Sequence, residues 1–541
     1  MSTAAAPDRR TPAASLRAPI AREDGWISPT RVRLLNIERE FEGDVEWRPP
    51  DVPRLWTYTL NYFQDLPQCV SRGGERPDGG LDVEQAVRLV DSWIEANPPG
   101  TTDTWDPYPI SIRVVNWIKW ALLLESAEGA GPAAGSRATG PPSAGLLDSL
   151  ATQLRSLERR LEFDIAANHL MANAVALTAG GLFFGAEEGD RWAAIGLALL
   201  TREMDEQVLD DGGHFERSPM YHAVVLEQLL DVLNLCAVFP GVVAVGGQEL
   251  RSHLEGAARA MLNWLSAMTH PDGGAAFFND TTLGAAASCA ELFDYAERLG
   301  LAPARRSPGG VHLLDSTGFF RFGSEDDRTV VLFDAGGPEP GYQPGHAHSE
   351  SLSFELSRDG RRLFVNSGVS TYDPGHDRLR QRSTAAHNTV RVDEREQSEL
   401  WASHRCGRRA RVSRAIERSC WASAAHDGYR FLPGRPLHHR KMRVTGEGVE
   451  IVDNISGRGE HFLEWFFHLH PDVVARVSAR AVELSSNGRP VASISFPFGA
   501  TASIEKGSWH PAFNVAVPNT LVHLALQTNL PFEFDATIVW L

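Results

Sequence analysis

Four short stretches concentrate side chains able to move protons or bind anions. AANHLMANAVAL (166–177) sets Asn168 beside His169 at the start of an apolar-periodic run. The first backbone N–H groups of a helix lack intrahelical partners and carry partial positive charge, so an amide and an imidazole placed there suit a carboxylate-bearing ligand. They suit capping and internal hydrogen bonding as well. DDGGHFERSPMYHAVVLEQLLD (210–231) is a glycine-rich turn that passes through Ser218 and Pro219, good N-cap and first-turn residues, into a second helix. Tyr221 and His222 then fall in its first turn and Glu216 just before it.

GHAHSESLSFELSRDGRRLFVNSG (345–368) holds His346 and His348 one residue apart at the expected entrance of a strand, a spacing that turns both to one side, and its next strand ends in Asn366. RSTAAHNTVRVD (382–393) adds Arg382, His387 and Asn388 before another strand. Histidines and basic groups gathered at strand ends form an acid–base or metal-ligating arrangement, and the set is more specific than any member.

The elements that must position these residues follow from periodicity. Val114, Trp117, Ile118, Ala121 and Leu122 fall at i, i+3, i+4, i+7 and i+8, one face of a helix. Further helices are expected near 82–96, 147–162, 169–183, 191–209, 218–238, 249–268 and 286–299, with a Gly/Pro/Ala-rich surface insertion at 126–145. After about residue 305 the period changes to two, and strands are expected at 329–334, 351–357, 361–366, 388–393, 441–445, 449–455, 461–469 and 492–498. Asp359-Gly360 between two of them favours a tight hairpin turn. The expected organisation is a poorly ordered segment at 1–45, an α-helical domain at 46–304 and an antiparallel β-sandwich at 305–541.

Composition bounds the partners. The chain has 541 residues, 43% of them hydrophobic, and a net charge of -17, which repels nucleic acid and anionic membranes. No uncharged apolar run is long enough to suggest membrane insertion. An anionic substrate needs a local basic surface, and eleven arginines against six acids between His376 and Arg418 offer one. The five cysteines are scattered without CxxC spacing, which argues against a disulfide framework or a thiolate metal site. Residues 1–45 lack the apolar centre of a secretory signal; an unexported chain and a processed or misassigned start both fit.

WDPYPISIRVVNWIKW (105–120), NHLMANAVAL, DGGHFERSPMYH, HPDGGAAFFND (270–280), GHAHSESLSFEL, RSTAAHNTVRVD and WHPAFNVAVPNTL (509–521) occur in the order of the signatures of the heparinase II/III-like proteins. The chain resembles that family over about residues 50 to 541. The resemblance implies an incomplete (α/α) toroid followed by a β-sandwich, a cell-envelope setting, and β-elimination at a uronic acid of an acidic polysaccharide. It implies that Asn168 and His169 neutralise the carboxylate, that Tyr221 is the acid and His346 a base, and that these four converge on one cleft between the domains. Arginine charge nearby is expected to lower the Tyr221 pKa towards basic duty. Glu216, His222, Arg382 and Asn388 are expected to bind substrate. No cofactor is required.

Members with a structural zinc resemble this chain at His348 and His387 but carry aspartate where Asn366 stands, a weaker ligand. Some lyases have an acid three residues after the helical histidine, where this chain has Ala172. Two other readings remain open: a glycoside hydrolase using two of Asp211, Glu216 and Asp280, and a non-catalytic carbohydrate-binding or exopolysaccharide-biosynthesis accessory protein.

Overall fold

The computed structural model describes the chain apart from residues 1–4, 72–78, 129–141, 244–246, 304–308, 325, 327, 418–420, 479–480 and 498. Most of the expected insertion at 126–145 therefore lies outside the described residues. The chain separates into two compact units: Met1–Val208 with Ala223–Leu262 and Ala290–Pro303, and Leu209–His222 with Asn263–Cys289 and Ala304–Leu541.

The first unit is helical. Helix Val83–Ala96 starts at a capping box, Asp82 and Gln85 satisfying each other's backbone N–H groups, and buries Val83, Ala86, Leu89, Val90 and Trp93. Its Trp93 packs edge-on against Trp117 of helix Pro107–Glu128, and the buried Arg113 guanidinium lies 4.0 Å from the Trp93 ring centroid. Arg113 is tolerated there because Gln153 and the carbonyls of Asn61 and Thr104 accept its protons. Helix Ala167–Phe183 is apolar all round and lies inside the unit, as such helices must. Only His169 among its residues is not buried. It packs on helix Ala186–Gln207 through glycines: a Cβ on Gly181 would fall 2.1 Å from the backbone nitrogen of Ala193.

The segment expected to be poorly ordered is not so in its described part. Strands Gly25–Ser28, Arg31–Leu34 and Ile37–Glu40 form an antiparallel sheet, burying Trp26 and Val32. Upstream, the backbone N–H groups of Arg10 and Ala13 donate to the carbonyls of Phe183 and Val238, at 2.9 Å each. Composition suggested disorder because it counts few apolar residues; backbone hydrogen bonding to neighbouring helices is invisible to such a count.

The second unit is a sandwich. Gly310–Leu314, Phe319–Gly323, Thr329–Asp334, Phe354–Arg358 and Arg361–Phe364 pair consecutively as an antiparallel sheet. Asp359 and Gly360 close its last hairpin with φ of +52° and +76°, the turn their sequence favours. The second sheet has ten strands among the described residues and is built on Gly448–His468 and Val517–Trp540. Phe320, Phe333, Phe354 and Leu356 of one sheet share a core with Trp465, Phe467, Leu524 and Ile538 of the other. Two strands expected at 449–455 and 461–469 are one, because the register shift between Ile455 and Gly459 is a bulge, not a turn. Helical first and antiparallel after is thus the observed fold class.

Candidate active site

Helix Pro219–Val238 begins in the sandwich unit. Arg217 at φ +57° makes the sharp turn before it, and Ser218 Oγ accepts the backbone N–H of Tyr221 at 3.2 Å while donating to the Asp280 carbonyl at 2.7 Å. This capping fixes the first turn and so the phenol. The Tyr221 ring stacks on His346, centroids 3.8 Å apart and planes 17° from parallel, and its hydroxyl lies 3.2 Å from that of Tyr372. His346 Nδ1 hydrogen-bonds the buried carboxylate of Glu216. A carboxylate on one ring nitrogen sets tautomer and orientation and leaves the other nitrogen for proton transfer. His346 keeps 15% side-chain exposure, enough to be reached, whereas Glu216 keeps 1%.

Behind this pair stands a buried polar chain. Arg378 lies 4.9 Å from the Tyr372 ring centroid and pairs with Asp280, Nη2 to Oδ2 at 2.7 Å; Asp280 Oδ1 in turn meets His348 Nε2 at 2.8 Å. Burial, then Tyr372 and Asp280, push the Tyr221 pKa well above 10, and burial does the same for Tyr372. The expected lowering by arginine does not occur, because Arg378 spends its charge on Asp280. Tyr221 is a protonated phenol at neutral pH, suited to be an acid and not a base.

His346 and His348 were expected to share a side of a strand. Residues 345–351 are irregular, and the two part company: His346 joins Tyr221, while His348 turns inward. Three residues expected to contact substrate also face inward. His222 is fully buried against Trp264, 4.4 Å between rings, and its Nδ1 accepts the His214 N–H. Arg382 donates to the carbonyls of Ala347 at 2.8 Å and Ser403 at 3.0 Å. Asn388 donates to Phe354 and Val365 carbonyls and accepts the His468 N–H. These residues shape the loops, and a substrate-contacting role does not fit them. Glu216 acts through His346. Part of the expected basic surface is spent too: Arg378 and Arg382 are buried, and Arg391 pairs with Glu464 at 2.7 Å.

The carboxylates proposed for glycoside hydrolysis are committed elsewhere. Asp211 accepts from Thr317 and Gly213, Asp280 is held by Arg378 and His348, and Glu216 by His346. Asn168 and His169 stand in the helical unit. Asn168 is buried, whereas His169 is half-buried with Nδ1 3.0 Å from Glu162 Oε1 and its ring 4.4 Å from Tyr108. Asn173 Nδ2 steadies Glu162 at 2.9 Å, so the carboxylate beside His169 comes from seven residues before it in the chain.

The residues expected to ligate a metal divide. His348 and His387 lie with ring centroids 5.3 Å apart, and ligand atoms of His348, Glu350 and His387 all lie within 4.8 Å of one another. Asn366 is not a ligand in this arrangement: its Oδ1 accepts from Ser353 at 2.8 Å, and its Nδ2 faces Glu350 Oε2 at 3.1 Å. Among the described residues, His348 Nδ1 and both ring nitrogens of His387 have no hydrogen-bond partner although they are buried. His387 Nδ1 is 3.2 Å from Glu350 Oε2, but without the alignment of a hydrogen bond. Orphaned buried nitrogens converging on a carboxylate fit a divalent ion.

Sequence reasoning missed Tyr372, Glu350, Glu162 and the Arg378–Asp280 pair. Glu350 was legible, two positions after His348; the others owe their place to contacts far apart in the chain.

The heparinase II/III N-terminus model matches residues 84–305, and the heparinase II/III-like C-terminal model residues 306–541. FtsZ-localized protein C of Caulobacter vibrioides is 26% identical over 456 residues, 79% of this chain and 71% of that protein. The heparin-sulfate lyase of Bacteroides thetaiotaomicron is 24% identical over 405 residues, 65% of this chain and 54% of that one, so the match spans about half of the lyase. A crystal structure of heparinase III superposes with TM-score 0.71 at 18% identity, covering 93% of this chain and 80% of the other. With both halves matched in order and the fold in common, the chain belongs to the heparinase II/III-like family.

Proposed function

We propose that the protein is a polysaccharide lyase that cleaves a uronic-acid-containing polysaccharide by β-elimination. The observation that carries this reading is the Tyr221–His346 stack, with Glu216 on the far nitrogen of the imidazole. His346 removes the C5 proton, the electron pair freed forms the C4–C5 double bond, and the C4–O4 bond breaks as Tyr221 gives its proton to the leaving oxygen. The acidity of C5 depends on neutralising the neighbouring carboxylate as charge develops, the role the family resemblance gives to Asn168 and His169. The step is redox-neutral, and His346 and Tyr221 account for both of its proton transfers.

The support is chemical: Tyr221 is held protonated, as an acid requires, and His346 is oriented by a carboxylate, as a base requires. The test is a panel of uronate polymers followed by the ultraviolet absorbance of a new conjugated double bond. Absorbance rising with at least one polymer is expected; none with any polymer overturns the reading. A second reading, carbohydrate binding without turnover, is favoured by the long match to FtsZ-localized protein C, a protein named for a location and not a reaction. Binding to a polymer of the panel with no absorbance change would support it.

A further inference from the structure

We infer that the hairpin Leu400–Cys406 carries a sugar subsite beyond the catalytic pair, where Trp401 stacks on a sugar ring and Arg405 binds its carboxylate. The inference rests on the uronate-polymer reading, though not on turnover.

The hairpin is tied to the pair. Strands Leu400–Trp401 and Arg405–Cys406 are antiparallel, and Ala402 at φ +49° turns the chain between them. The Ser403 carbonyl in that turn accepts from two buried guanidiniums, Arg378 Nε at 2.9 Å and Arg382 Nη1 at 3.0 Å. Arg382 also donates to the Ala347 carbonyl at 2.8 Å, so one side chain fixes the chain neighbours of His346 and of His404 together. His404 Nδ1 donates to the Gly345 carbonyl at 3.2 Å, and its ring meets His346 edge-on, centroids 5.9 Å apart. A carbonyl can only accept, so the neutral His404 ring keeps Nε2 as an acceptor for a sugar hydroxyl. Trp401 precedes His404 by three residues, which keeps their Cα atoms within about 10 Å, a short stretch of polymer.

One face of the hairpin is built as a platform. Trp401 and Arg405 lie directly opposite in register, so their side chains share that face. Gly407 follows on the same face, and a Cβ there would fall 2.8 Å from Trp401 Cζ3. The missing side chain lets the indole lie against the backbone, and Trp401 stays 48% exposed. An indole half in water forgoes the stabilisation of burial, which a sugar ring laid on it would supply. The C–H face of a pyranose is apolar with electron-poor hydrogens, and the indole face is electron-rich. Arg405 is exposed beside it, and a guanidinium meets a carboxylate with two parallel hydrogen bonds. Glu399, beyond Gly407 on the same face, accepts from hydroxyls. An aromatic platform with a cation at its edge matches an acidic sugar, whereas a neutral one would need only the ring.

The test measures binding of the full chain to polyglucuronate, polymannuronate, polygalacturonate and hyaluronate by calorimetry, at low and high salt. On the polymer that wild type binds most tightly, Trp401→Ala should weaken binding by about 10-fold, the scale of a tryptophan anchor, and Trp401→Phe should recover most of the loss. Arg405→Gln should weaken it by about three- to fivefold and flatten its salt dependence. Unfolding temperatures should stay at the wild-type value, because both side chains are exposed. Where the polymer is cleaved, Trp401→Ala should raise KM more than it lowers kcat. Equal binding by wild type and Trp401→Ala overturns the subsite, and an unchanged salt dependence in Arg405→Gln overturns the carboxylate contact. Wild type that binds no polymer of the panel overturns the subsite together with the uronate reading. A Trp401→Ala loss in a protein that produces no ultraviolet absorbance supports the subsite and sinks the lyase reading alone.

Discussion

His346 and His348 are separated by a single alanine and have opposite fates. His346 keeps part of its surface exposed, stacks on a phenol and takes its orientation from one carboxylate. His348 is sealed in, tied to Asp280 and grouped with His387 and Glu350. The first neighbourhood combines access with an oriented proton carrier, which is what catalysis needs. The second combines burial with orphaned nitrogens, which is what a structural ion needs. Histidine type and spacing did not distinguish them; the irregular backbone of 345–351 did.

Substitutions should separate the two regions in activity and in stability. His346→Ala should lower turnover by roughly 100- to 10,000-fold, the range for loss of a general base, with the unfolding temperature nearly unchanged. His348→Ala should do the reverse: by leaving the buried Asp280–Arg378 pair short of a partner it should cost about 3 kcal/mol of stability in denaturant unfolding. If His346→Ala destabilised more than His348→Ala, the assignment of catalytic and structural roles would be inverted. Glu216→Gln should have a smaller effect, about tenfold in kcat, because the amide still meets His346 Nδ1 but without charge. A larger fall in KM-dependent binding than in kcat would show that Glu216 contacts substrate instead.

How much of this was legible in the sequence depends on the range of the interactions involved. Helix Pro219–Val238 and strand Thr329–Asp334 were readable almost to the residue, because capping, periodicity and β-branching are local. Tyr221 and His346 were readable as candidates. Their stacking, and the Tyr372 hydroxyl beside Tyr221, depend on segments 125 to 151 positions apart and left no local pattern. Arg382, His222 and Asn388 were misjudged because polar residue type was taken for exposure, whereas carbonyls and ring faces supplied by the fold satisfy them inside.

The smallest effect concerns pH. Burial lowers the pKa of His468 and of His214 from 6.5 to about 4, so both are neutral when folded and bind protons more readily when unfolded. Their contribution is therefore present above pH 6.5 and is lost as pH falls towards 4. The unfolding temperature should decline over that window, and His468→Asn should make the decline shallower; an identical slope in wild type and variant would remove His468 from the account.

The measurement that reaches the central claim most directly compares the products of wild type and Tyr221→Phe on a uronate polymer, by mass and by ultraviolet absorbance. Wild type should release fragments with an unsaturated non-reducing end, lighter by one water than hydrolysis products. Tyr221→Phe, which keeps the ring stacked on His346 and removes only the hydroxyl, should make them at least about 100-fold more slowly. Saturated products from wild type, or full lyase activity in the phenylalanine variant, would contradict elimination by the Tyr221–His346 pair.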